Sequence, residues 1–95
     1  MIYLDCSGVH FGSQLDERHM FEWAIQIPGV LRWEQDSLVV RTNLAQASLK
    51  DLLALFSRYQ IPTAQLAQFR TTQTENWFAA PKMYWHARVF GKAAR

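Results

Sequence analysis

The apolar pattern of this 95-residue chain predicts an α+β fold: a ferredoxin-like βαββαβ sandwich, with an antiparallel sheet, two helices on one face and a further helix at the C-terminus. Three observations carry that expectation. Ile2–Cys6 and Val30–Thr42 alternate apolar and polar residues with the period of a half-buried strand. Two longer stretches, opening at Ser13 and Ser48, repeat apolar residues at helical spacing, each with an aspartate three residues after the serine. Apolar residues make up 49% of the chain and charged residues 19%, which suits one packed domain and neither a disordered chain nor a coiled coil. A chain of this length buries one core, so residues 1–95 read as a single domain. It divides into an α/β body over 1–70, an aromatic and basic helical segment over 71–91, and a frayed end over 92–95.

Ile2–Cys6 is the first strand, with Ile2, Leu4 and Cys6 on one face and Tyr3 and Asp5 on the other. A loop follows, bracketed by Ser7-Gly8 and Gly12-Ser13. Ser13 caps a helix running to about Ile27, where Pro28-Gly29 stops it. Met20, Trp23, Ala24 and Ile27 form its core stripe. Phe21 and Ile25 lie off the stripe, so they either widen the buried face or mark a contact surface. Val30–Thr42 is a hairpin. With Asp36-Ser37 as its turn, Arg32 faces Arg41 and Glu34 faces Val39; a longer loop from Glu34 to Ser37 is the alternative.

Ser48 caps the second helix, Ser48–Gln60, whose stripe of Leu49, Leu52, Leu53, Phe56 and Tyr59 is the strongest in the chain. Pro62 ends it. Thr63–Arg70 is ambiguous. Read as a strand, it completes the sandwich. Read as a helix, it leaves a three-stranded antiparallel sheet with three to four helices. Thr72-Gln-Thr-Glu75 is a capping box that opens the last helical stretch; Pro81 restarts that stretch and Gly91 closes it.

Function is expected in that last stretch. Asn76–Phe90 together with Phe69 holds six of the thirteen aromatic residues. Residues 70–95 carry five lysines and arginines against Glu75 alone, whereas residues 1–69 carry five against seven acids. Rings at this density must be buried in the body or in a partner, since each one left in water forgoes roughly 2–3 kcal/mol. Trp, Tyr and Arg dominate protein interfaces. The chain therefore reads as a small non-catalytic binding module, an adaptor or regulator that engages another protein or its own copy. Tyr84, Trp85, His86 and Arg88 are its partner-binding residues, with Phe21 and Ile25 as a second patch. RNA or single-stranded DNA on the same basic, aromatic surface is the alternative, and a small-ligand-sensing regulatory domain is a third reading.

Other chemistries find little support. Cys6 and His10 are four apart, but Asp5 opposes the pKa depression a nucleophilic thiol needs, and a lone inward cysteine acts as a small apolar residue. His10, His19 and His86 lack the close spacing of zinc ligands, and no phosphate-binding glycine loop is present, so no metal or cofactor is expected. Ile2-Tyr3-Leu4 resembles the opening of the RNP2 strand of the RNA-recognition motif. Leu38–Thr42, where the companion octet belongs, has neither aromatic residue nor glycine, so that likeness stops at three residues and brings no site with it. With no apolar run long enough to span a bilayer, no leader-like N-terminus and one cysteine, the expected location is the cytoplasm.

Overall fold

A computed structural model of the protein describes residues 1–70, 77, 78, 83 and 85–90. In chain order its elements are β1 (Ile2–Asp5), α1 (Gln14–Gln26), β2 (Val30–Glu34), β3 (Ser37–Val40), α2 (Gln46–Tyr59), a 3-10 helix (Thr63–Phe69) and α3 (His86–Phe90). The three strands form one antiparallel sheet in the order β1-β3-β2. β3 lies antiparallel to both neighbours, so β1 and β2 run the same way on either side of it, a split βαβ arrangement. Among the described residues, no helix is long and apolar enough to cross a membrane.

The fourth strand of a ferredoxin-like sandwich is absent from the described residues, because Thr63–Phe69 coils into a 3-10 helix. Its buried residues explain the choice. Thr63, Leu66 and Phe69 recur every third position, and a helix of three residues per turn stacks them on one face. A strand would have put Leu66 and Phe69 on opposite sides. The observed architecture is a three-stranded antiparallel sheet packed by helices.

Local chemistry sets the other elements. Ser13 caps α1 as expected, its hydroxyl accepting from the Asp16 N–H at 3.2 Å. Ile27-Pro28-Gly29-Val30 then turns the chain into β2, closed by Val30 N–H donating to Ile27 O at 3.0 Å. Gly29 sits at φ 99°, as the third residue of such a turn demands, and a Cβ there would collide with Leu44 Cδ2.

The hairpin turns at Gln35-Asp36, one residue earlier than expected, with Glu34 opposite Ser37 and Trp33 opposite Leu38. This register sets Arg32 across from Val39 and removes the Arg32–Arg41 repulsion of the expected pairing. A bulge at Leu31 absorbs the shift. On the outward face, Tyr3, Val39 and Arg32 form one row across the three strands, and Val39 at its centre is fully buried.

Helix α2 begins earlier than expected. Ala45, not Ser48, occupies the cap position and makes no side-chain cap bond, while Ser48 is buried within the first turn. The helix ends at Gln60, whose left-handed backbone (φ 57°, ψ 38°) lets the Ile61 N–H reach Phe56 O at 2.9 Å. Leu49, Leu52, Leu53 and Phe56 of α2 join Met20 and Ala24 of α1 and Leu4, Leu38 and Val40 of the sheet in one core. Truncating any of these leucines to alanine would cost roughly 2–5 kcal/mol.

The outer edge of β1, where a fourth strand would pair, carries a side chain instead. The Gln65 carboxamide accepts from the Asp5 N–H at 2.5 Å and donates to Asp5 O at 2.8 Å and to Pro62 O at 3.1 Å. It imitates one residue of a neighbouring strand. Part of a sheet edge that no other described strand pairs is thereby occupied.

Candidate functional site

The described C-terminal residues pack on the body through interlocking rings. Trp77 meets Trp85 edge-on at 5.9 Å and Phe78 at 5.7 Å; Phe78 meets Phe90 edge-on at 5.0 Å. Phe78 and Val89 are buried in the common core, and α3 lies against the 3-10 helix. Lys50 of α2 extends over the Trp77 ring at 5.3 Å, and the Arg70 guanidinium lies 5.6 Å from the Phe90 ring.

The residues expected to bind a partner fall in different places. Trp85 is only 8% exposed, and its indole N–H donates to Phe78 O at 2.7 Å, so the ring anchors the segment and is not presented outward. An indole buries its area readily once its single donor finds a carbonyl. His86 is half-buried against Phe90, with Nδ1 shielded from water and without a hydrogen-bond partner among the described residues. Arg88 is exposed. Phe21 packs edge-on against Trp33 at 4.6 Å, whose indole donates to Phe21 O at 3.4 Å. Ile25 is 48% exposed on α1. Tyr84, the Thr72–Glu75 capping box, Pro81, Gly91 and the 92–95 end lie outside the described residues.

Arg88 rims a groove of about 480 Å³ between the end of α2, the start of the 3-10 helix and α3. Phe56, Ile61 and Pro62 give it apolar walls, and Ser57 and Thr63 add hydroxyls. The Ser57 hydroxyl oxygen is shielded and has no hydrogen-bond partner among the described residues. Among the described residues, Arg88 is the one charged residue lining the groove, and it forms no ion pair. The described residues offer a seat of mixed apolar and hydroxyl-bearing side chains with one cation at its lip.

A second, more polar cleft lies between the loop after β1, the first turns of α1 and the end of α2. One lobe of about 350 Å³ is lined by Gly8, His10 and Gln60; another of about 270 Å³ is lined by His19 and Trp23. Asp16, Arg58 and Tyr59 line both. The sequence gives little sign of either cavity, because each is assembled from side chains of three separate elements. The one legible hint is Pro62, which forces α2 to end where both openings form.

Cys6 is buried and its thiol donates to Leu4 O at 3.8 Å. Burial, with Asp5 and Asp36 adding repulsion, pushes its pKa up to about 12. The thiol is therefore protonated and poorly nucleophilic at neutral pH. The described residues contain no group of three or more metal-ligating side chains. Comparison with protein-family models, with curated proteins and with solved structures finds no match to this chain.

Proposed function

We propose that the protein is a small non-catalytic binding module that holds an extended, acidic segment of another protein, with Arg88 as the charged anchor. The groove beside Arg88 carries the reading. Among the described residues its lining mixes apolar Phe56, Ile61 and Pro62 with the uncharged polar side chains of Ser57, Gln60 and Thr63, and its one charged group is an exposed guanidinium with no carboxylate partner. The complement is an aliphatic or small side chain seated on Ile61 and Pro62, with a carboxylate reaching the lip. The buried Trp85 then holds the groove's third wall in place and does not itself touch the partner.

The test is a peptide-display selection on the whole chain, counter-selected on the Arg88→Glu variant. Enrichment of acidic–aliphatic peptides that the variant does not retain supports the reading; indifference to the variant overturns it. Concentration-dependent mass in light scattering that Arg88→Glu abolishes would make the occupant a second copy. Binding to single-stranded nucleic acid that falls steeply with added salt would favour the alternative partner.

A further inference from the structure

We infer that the polar cleft between α1 and α2 binds a small zwitterion of the α-amino-acid class, its ammonium against Asp16 and its carboxylate against Arg58. Those two side chains carry opposite charge, stand on facing helices and line both lobes, yet form no ion pair with each other. Two such groups flanking an open space are complemented by a molecule that bears both charges itself.

Each group is available. Arg58 lies 5.9 Å from the Tyr59 ring, which orients the guanidinium, and its N–H donors take no partner among the described residues. Asp16 accepts through Oδ2 from the Gly12 N–H at 3.3 Å, while Oδ1 takes no hydrogen bond among the described residues. Trp23 and Tyr59, edge-to-face at 6.4 Å, wall the second lobe and provide ring surface for a planar or apolar side chain. The inference is independent of the Arg88 groove, since Arg88 does not line this cleft.

The chain also contains a means of closing the cleft without disturbing the fold. Gly8 lines the first lobe, has a backbone any residue adopts, and a Cβ added there would meet nothing within 4 Å. Gly8→Gln should therefore fill the space with side chain at little cost to stability.

The experiment follows the Trp23 indole, the Gly8 amide and the Arg58 side chain by NMR while L-phenylalanine is titrated into the intact chain. L-phenylalanine amide (cation only) and N-acetyl-L-phenylalanine (anion only) serve as matched probes. Saturable shifts with L-phenylalanine at millimolar concentration are expected, each singly charged analogue binding about tenfold more weakly or worse. Arg58→Ala, Asp16→Asn and Gly8→Gln should each remove the response, the last with an unchanged melting temperature, while Arg88→Glu should leave it intact. Equal binding of either singly charged analogue, no saturable shift, or undiminished binding to Gly8→Gln overturns the inference.

Discussion

Gln65 makes a quantitative demand on the fold. Its carboxamide forms three hydrogen bonds to main-chain groups, two of them to the edge of β1. Each such bond is worth roughly 0.5–1.5 kcal/mol net. Asp5 is exposed, so its freed N–H and C=O regain water, and the total belongs near the lower end of that range. Gln65→Ala should therefore lose about 1–2 kcal/mol. Gln65→Glu is more discriminating. An ionised carboxyl still accepts from the Asp5 N–H but donates to neither carbonyl, and it brings a negative charge beside the Asp5 carboxylate.

Protonation restores one donor, so the introduced group's folded pKa lies above its unfolded value of about 4.3. By linkage, the stabilising contribution is then fully present below pH ~4.3 and is lost as pH rises through the folded value. Urea unfolding read by tryptophan fluorescence should give Gln65→Glu a small deficit against the parent near pH ~3.5, growing to about 1–2 kcal/mol near pH ~7. A deficit independent of pH, or Gln65→Ala within about 0.3 kcal/mol of the parent, would refute the edge-pairing argument. Both variants also bare more of the β1 edge, so light scattering should show association that the parent lacks.

Other substitutions bear on separate parts of the structure. Gln60→Gly should stabilise the protein by about 0.5–1 kcal/mol, because glycine takes the left-handed end of α2 without steric penalty; a lower melting temperature would contradict this. Trp85→Phe removes the indole bond to Phe78 O and should cost roughly 1–2 kcal/mol in urea unfolding, whereas an exposed ring would tolerate the change. The Cys6 thiol, raised from 9.0 to about 12 on folding, contributes stability that is complete below pH 9.0 and lost as pH rises toward 12. Cys6→Ala should remove that alkaline slope, at most about 1.4 kcal/mol per pH unit, and an unchanged slope would show the thiol to be accessible.

The parts of the fold legible in the sequence are those written in local chemistry. Ser13 with Asp16 marks the start of α1, Pro28-Gly29 its end, and the leucine stripe the body of α2, though not its start at Gln46. The hairpin's existence is equally plain, but its register is not. Two registers two residues apart keep the same faces inward, and only the cost of setting Arg32 against Arg41 separates them. Thr63–Phe69 carries its own signal, since Leu66 and Phe69 are three apart, but a segment so short after Pro62 is equally compatible with the edge strand of a four-stranded sheet. Trp85 illustrates a different limit. An aromatic residue beside basic ones reads equally well as anchor or as contact surface, and the choice depends on whether a carbonyl such as that of Phe78 lies within reach. The two clefts were least legible of all, because Asp16 and Arg58, or Ser57 and Arg88, become neighbours only through tertiary packing.

The central claim is that Arg88 supplies the cation an acidic partner segment requires, and a charge-reversal cycle tests it most directly. An acidic peptide selected on the parent chain should bind Arg88→Glu about tenfold more weakly or worse, and recover when its own acidic residue is replaced by lysine. Equal affinity of that peptide for the parent and for Arg88→Glu would contradict the account.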